Sequence, residues 1–307
     1  MSKVVVVGSY VVDLMSRTPH LPKPGETVLG GPFKMGPGGK GGNQATAAAR
    51  SGSEVTFITK LGDDLFGREA LAHFSAEKVN TQFMKVDPNQ ATGAALIAVD
   101  DRSENSIVVA LGACGTITED EVVAAEETFK EADVVLVQLE TSIEAVVTTV
   151  RLAKKWDVPV ILNPAPFQEF PREILSDIAY ITPNETEAFE LTGVEVTNEA
   201  SALVAAQKIY SQGVGTVIIT LGSKGAYLYT GGESGELVPS FKVEAVDTTG
   251  AGDAFNGGFA HALSNGFSVR EAMAYANAVA ALSVTKIGTA PAMPYQHEVE
   301  ELIVKKV

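Results

Sequence analysis

Cysteine is almost missing from this chain: Cys114 stands alone among 307 residues. An intrachain disulfide is therefore excluded, as is a cysteine-based zinc cluster, and the lone thiol is expected to be buried apolar filling. Histidine is scarce as well. His20, His73, His261 and His297 show none of the spacings that gather a metal, so structural or surface places are expected for all four. No apolar run reaches membrane-spanning length. The opening MSKVVVVGSY is too short even for the hydrophobic part of a secretion signal and reads as a buried first strand. A soluble, cytoplasmic protein is expected. Positive charge is in deficit, with 23 Lys and Arg against 38 Asp and Glu, a formal net charge of −15. A field of that sign disfavours polyanions, so neither nucleic acid nor an anionic membrane is expected as a partner. A small anionic ligand stays open, because a small site makes its own local field.

What is present is a full core. Hydrophobic residues make up 45% of the chain, which excludes a mostly disordered polymer. Short runs rich in β-branched residues recur at 3–9, 55–62, 132–140, 158–166, 178–185 and 215–225. Helical patterns lie at 43–52, 66–79, 142–156, 185–192, 199–212, 252–263 and 269–285. Strands apolar on consecutive positions and alternating with helices predict an α/β fold whose central, mostly parallel sheet carries helices on both faces. Two segments break the alternation, about 10–36 and 92–111. They read as extended pieces and are expected to form a small β-sheet lid on a single domain spanning 1–307. Closing a lid over a site excludes water.

The polar residues fall in register. The buried runs lead to Asp13, Glu140, Asn163, Asn184 with Glu187, and Thr220 with Gly222, Ser223 and Gly225. In open parallel sheets, ligands bind at the carboxyl ends of strands, so these residues outline a crevice. The stretch VDTTGAGDAFNGG (246–258) adds a helix start. Phe255, Phe259 and Leu263 recur every four residues, so an apolar helix begins near Asp253. Ahead of it, Gly250, Ala251 and Gly252 offer bare backbone N–H groups, a natural anion site. An aspartate there would repel a resting phosphate, yet suits a base that takes a proton from an attacking hydroxyl. A plain capping role for Asp253 explains these residues equally well. GAGDAF is not a dinucleotide fingerprint, and GPGGKGGNQ is not a phosphate-binding P-loop, since no Ser or Thr follows Lys40.

Taken together, PGETV (24–28), GGKGGNQ (38–44), QLE (138–140), NPAP (163–166), TPNETE (182–187), TLGSKG (220–225) and VDTTGAGDAFNGG resemble the ribokinase-like (PfkB) carbohydrate kinases over nearly the whole chain, most of all the ribokinases and deoxyribokinases. The resemblance implies ATP-dependent transfer of a phosphoryl group to the hydroxymethyl oxygen of a pentose, D-ribose first, with 2-deoxyribose or another small sugar or nucleoside as the alternative. It implies Asp253 as catalytic base and Gly250, Ala251 and Gly252 as the anion hole. Val11, Asp13, Gly39, Lys40, Asn43 and Glu140 match sugar-holding positions. Asn184 and Glu187 match a motif that places Mg²⁺ and the ATP phosphates. Thr220, Gly222, Ser223 and Gly225 match the nucleotide-binding turn, with Gly252 beside it, and Asn277 lies where the adenosine end is contacted. Asp247, Thr249, Ser283, Lys286 and Gly288 match a loop for a monovalent cation, K⁺, held mostly through carbonyls. A homodimer joined through the lid is implied too, and the lid strands are expected to expose apolar residues such as Ile97 and Val109.

Three positions depart from that pattern. Val11 stands where ribokinases usually carry Asn, and an apolar residue cannot read a hydroxyl; deoxyribokinases are also apolar there. Cys114 stands where ribokinases tend to have Asn. Ala292 replaces a Ser of the cation loop, which predicts weaker K⁺ binding.

Overall fold

A computed structural model describes residues 2–102 and 104–305. Its strands are β1 (Lys3–Val7), β2 (Val11–Thr18), β3 (Phe33–Gly38), β4 (Glu54–Gly62), β5 (Met84–Asp87), β6 (Thr92–Asp100), β7 (Asn105–Gly112), β8 (Val134–Gln138), β9 (Val160–Asn163), β10 (Tyr180–Ile181), β11 (Thr216–Thr220), β12 (Gly225–Tyr229) and β13 (Glu236–Pro239). Its helices are α1 (Lys40–Arg50), α2 (Leu65–Ala76), α3 (Glu119–Val123), α4 (Glu126–Lys130), α5 (Ile143–Lys155), α6 (Glu185–Thr192), α7 (Glu199–Tyr210), α8 (Ala251–Ser264), α9 (Val269–Ser283) and α10 (Gln296–Val304).

Nine strands form the main sheet in the order β13-β12-β11-β10-β9-β8-β1-β4-β5. Pairing is parallel from β5 through β11, and β12 and β13 add an antiparallel edge. The valine run of β1 shows why the strands read as unbroken apolar stretches. Val5 and Val7 enter one core, with α5 and α7, while Val4 and Val6 enter the other, with α1, α8 and α9. Both faces are covered, so each strand position must be apolar.

A second sheet of four strands, β3-β2-β6-β7, stands apart from the first. It is built from the segments whose extended pattern broke the β/α alternation. Here β2 pairs antiparallel with β3 and parallel with β6. Several elements were not legible beforehand: β5, the β12–β13 edge, and the short α3, α4 and α10. The strand expected at 178–185 shrinks to two residues, Tyr180–Ile181, because Asn184 starts the capping box of α6.

The helix starts divide into two kinds. Helices α2, α5, α6, α7 and α9 each begin with a side-chain cap: Asp64, Ser142, Asn184, Asn198 and Ser268. Helices α1 and α8 have none, and unlike the short α4, whose N-cap is Ala125, they start on glycine. Their N-caps are Gly39 and Gly250, with φ of 80° and 77°, and neither supplies a capping side chain. These two helices start beside each other at the carboxyl end of the sheet, so the ordinary way of satisfying a helix start is given up where they converge.

Candidate active site

Close packing sets the site. A Cβ on Gly257 of α8 would lie 2.5 Å from Ala47 Cβ and 2.6 Å from the Gln44 carbonyl oxygen of α1. Only glycine allows that approach, and it brings Asn43 and Gln44 against Asp253.

Asp253 is the third residue of α8, inside the helix, and it does not cap it. Its carboxylate is turned to α1 instead. Asn43 Nδ2 donates to Oδ2 at 2.9 Å and Gln44 Nε2 to Oδ1 at 3.0 Å. The group is buried, at 5% exposure. Burial pushes its pKa up, against the Lys40 charge and the two amide donors, which pull it down. The capping explanation is therefore set aside.

Gln44 was absent from the sequence-derived candidates. Its Nε2 also reaches Asn163 Oδ1 at 3.0 Å, and its Oε1 accepts from Gln138 Nε2 at 2.6 Å. Gln138 thus fixes which end of the Gln44 amide faces Asp253. The chain of buried polar groups continues through Asn163, Thr182 and Asn256, whose Nδ2 donates to the Gly252 carbonyl at 2.8 Å. Asn43 keeps a buried oxygen, Oδ1, without a partner.

At the start of α8, the N–H of Ala251 is spent on the Thr248 carbonyl at 3.3 Å. Those of Gly250 and Gly252 have no acceptor among the described residues. The three free amides expected here are two.

On the other side, Glu140 Oε2 accepts from Ser9 Oγ at 2.5 Å and from the Lys40 amide at 2.8 Å. Burial raises the Glu140 pKa, opposed first by the Lys40 charge. The Lys40 ammonium makes no ion pair among the described residues. Burial alone would lower its pKa, but the carboxylates of Asp253, Glu140 and Glu187 hold it above its ordinary value, so it is charged. Asp13 lies on β2, opposite Gly36 in register, and burial raises its pKa to about 6, against a hydrogen bond from Thr289. Val11 does not face open space. With Ala95 and Cys114 it forms a small apolar cluster, flanked by Ile97 and Leu111, so two of the departures from the family pattern touch the same cluster.

Asn184 and Glu187 form a reciprocal pair: the Asn184 amide donates to Glu187 Oε2 at 2.9 Å, and the Glu187 amide to Asn184 Oδ1 at 2.8 Å. Burial raises the Glu187 pKa. A parallel bridge joins Asn184 to Thr220, and the turn Gly222–Lys224 with Ser223 follows, closed by the Leu221 amide on the Gly225 carbonyl at 2.8 Å. Asn277 is placed differently. Its side chain donates to the Val238 and Pro239 carbonyls, at 3.0 and 3.3 Å, and so anchors β13 to α9.

In the loop before α8, the Asp247 carboxylate takes the amides of Thr249 and Gly288, both at 3.0 Å. Ser283 Oγ turns back to the Ala280 carbonyl and Lys286 Nζ pairs with Glu298, so neither side chain points at Asp247. Ala292 is buried in a short 3₁₀ turn. No group of three or more His, Cys, Asp and Glu able to hold a metal occurs among the described residues.

A cleft of about 160 Å³ brings together Lys40, Asn184, Glu187, Thr220, Gly250, Ala251, Gly252 and Asp253, whereas Asp13, Asn43, Glu140, Ser223, Asn277 and Asp247 are not among the residues that line it. A larger hollow, about 580 Å³, lies at the opposite end of the strands beside Lys3, Glu54 and Asn80. The smaller one holds the chemistry: a buried carboxylate, an unpaired cation and free helix-start amides, the set needed to deprotonate a hydroxyl next to an incoming anion.

Residues 1–296 match a family model described as pfkB family carbohydrate kinase. A ribokinase of Haemophilus influenzae is 44% identical over 298 residues, 97% of each chain. A deoxyribokinase of Salmonella typhi is 38% identical over 301 residues, 98% of each chain. The solved structure of Arabidopsis thaliana ribokinase complexed with ribose and ATP matches with a TM-score of 0.91 at 32% identity, over 99% of both chains.

Proposed function

The chain belongs to the pfkB family of carbohydrate kinases, and from that premise we propose that it phosphorylates D-ribose on the hydroxymethyl oxygen, with ATP as donor, giving ribose 5-phosphate. The observation that carries the reading is Asp253: a buried carboxylate, fixed by Asn43 and Gln44, at a helix start where the Gly250 and Gly252 amides are left free.

In this reading Asp253 takes the proton of the hydroxymethyl group as it attacks. General base catalysis of this kind is worth a factor of about 10²–10⁴. The N–H groups of Gly250 and Gly252, with Ala251 shaping the turn, face the charge that develops on the transferred group, in a place where such donors need no reorganisation. Lys40 adds the positive charge. Asp13, Glu140 and the orphan Oδ1 of Asn43 accept sugar hydroxyls, and Gly39 lets the main chain come close. Thr220, Gly222, Ser223 and Gly225 cradle the nucleotide, and Asn277 shapes the edge that bounds its base. The residues present fit a divalent ion as well. Asn184 and Glu187 line the cleft beside Asp253, and although their side-chain oxygens accept hydrogen bonds within the pair, they can meet the waters that a hard cation such as Mg²⁺ keeps, since it needs no cage of its own. Bound there, it supplies charge neutralisation for the phosphates. Loop carbonyls around Asp247, Thr249, Ser283, Lys286 and Gly288 suit K⁺, with the Asp247 side chain bracing the loop.

One observation favours a second acceptor. Val11 is enclosed in a buried apolar cluster with Ala95 and Cys114, so it offers a sugar hydroxyl no hydrogen-bonding partner, which suits 2-deoxyribose.

A homodimer joined through the small sheet is part of the proposal, and an exposed apolar patch supports it. Met35, Leu14, Leu96 and Val108 are consecutive partners across it, and Phe33 lies two positions along on the same face. Of these, Phe33, Met35, Leu96 and Val108 are 64%, 51%, 55% and 62% exposed. Pairing with a second copy covers this patch.

The direct test is Asp253→Asn. Turnover should fall at least about a hundredfold with an unchanged circular dichroism spectrum; turnover near wild type would remove Asp253 as the base.

A further inference from the structure

Thr289 was not among the expected site residues, yet its hydroxyl joins three parts of the molecule. Oγ1 lies 2.9 Å from Asp13 Oδ2 and 3.1 Å from the Pro37 carbonyl. Asp13 belongs to β2 and Pro37 to β3, both in the small sheet, whereas Thr289 belongs to the loop after α9. That loop is itself held from two sides. The Gly288 amide donates to Asp247. On the other side, Arg50 Nη1 donates to the carbonyls of Ala290, Pro291 and Met293, the last at 2.7 Å. Arg50 is in turn held by Glu77, through Nη2 at 2.6 Å and Nε at 3.0 Å. Thr289 is buried, at 7% exposure, on a loop held by these hydrogen bonds.

We propose that Thr289 is a positioning residue that orients the Asp13 carboxylate for the sugar and ties the small sheet to the loop after α9. A hydroxyl has one hydrogen, so it serves Asp13 or Pro37 at any moment. With Asp13 ionised, the bond to the carboxylate is the stronger one. It occupies Oδ2 and leaves Oδ1 for a sugar hydroxyl. The other side of the carboxylate is closed by the main chain, since a Cβ on Gly38 would sit 2.4 Å from Oδ1 and 2.5 Å from Oδ2. The hydrogen bond from Thr289 also works against the rise that burial and the nearby Glu140, Asp253 and Asp247 impose on Asp13. It therefore helps keep the carboxylate in the charged form that accepts a hydroxyl.

The inference rests on Asp13 being the sugar carboxylate, and the experiment separates the two. Thr289→Val removes the hydroxyl at nearly constant volume, Thr289→Ala removes it with less risk of crowding, and Thr289→Ser restores it. D-ribose binding is measured by calorimetry without nucleotide, ADP binding separately, and KM and kcat by coupled ADP release. A lost hydrogen bond to a charged group weakens binding about ten- to a hundredfold. Thr289→Val and Thr289→Ala should raise the ribose dissociation constant and KM by about that factor, leave ADP binding unchanged and change kcat less than KM, with Thr289→Ser near wild type. Asp13→Asn is the control. If it weakens ribose binding while Thr289→Val and Thr289→Ala do not, Thr289 has no positioning role. If Asp13→Asn leaves ribose binding unchanged, Asp13 is not the sugar carboxylate and the inference falls with it.

Discussion

At the scale of single residues, the site gathers acidic side chains in largely buried positions. Asp13, Glu140, Glu187 and Asp253 all have pKa values raised by burial, and Lys40 is the cation set among three of them. Asp13, at about 6, gives a pH dependence with a definite sign. Its neutral form accepts sugar hydroxyls poorly, so kcat/KM for the sugar should fall as pH drops through 6, and that limb should vanish in Asp13→Asn. A limb that survives the substitution belongs to another group. Stability runs the other way. A carboxyl with a raised folded-state pKa contributes stability below its unfolded value of 3.8 and loses it as pH rises through 6. Most of these residues were legible because each follows a strand or sits in a glycine-rich motif. Gln44 and Thr289 were not. Gln44 stands in the motif beside Asn43, but its role depends on Gln138, 94 residues away. Thr289 depends on Asp13, 276 residues away, and no local pattern announces such a partner.

At the scale of elements, the informative contrast is between capped and uncapped helices. The capped ones could be read from Ser, Asp or Asn before an apolar run. Helix α1 began three residues earlier than its apolar period suggested, at Lys40, because its first turn is held by Ser9 and Glu140 rather than by a cap of its own. The junction of α1 and α8 is where fold and chemistry meet. Gly257→Val would drive side-chain atoms into Ala47 and the Gln44 carbonyl. Overpacking of this kind costs about 1–3 kcal/mol, and it should also lower kcat by moving Asn43 and Gln44 off Asp253. Denaturant unfolding and steady-state kinetics on one preparation check both; wild-type values for the two together would show that the junction is loose. The edge strands β12 and β13 were missed because an antiparallel return after seven parallel strands has no helix between to mark it.

At the scale of the whole molecule, the parallel sheet was readable from consecutive apolar runs, and the second sheet from the break in alternation. The exposed face of that sheet was read less well. Val109 is exposed at 43%, but Ile97 is half-buried against the Val11–Ala95–Cys114 cluster, and its neighbour Leu96 is the residue that faces out. A one-residue offset reverses the face of a strand, and register is set by pairing that the sequence does not display. Val108→Lys places a charge in the centre of the outward patch. Light scattering should show the wild type as a dimer and the variant as a monomer; a monomeric wild type at assay concentration would contradict the lid-to-lid pairing. No helix among the described residues is long and apolar enough to cross a membrane.

Phosphorylation of a pentose in this cleft is open to one direct assay. The most direct measurement is coupled ADP release with ATP and Mg²⁺ across D-ribose, 2-deoxyribose, and a panel of ketoses and nucleosides. Turnover is expected on the pentoses, highest with D-ribose, and a shift toward 2-deoxyribose would make the Val11 cluster the specificity element. Turnover on a ketose or nucleoside with silence on both pentoses would contradict that expectation.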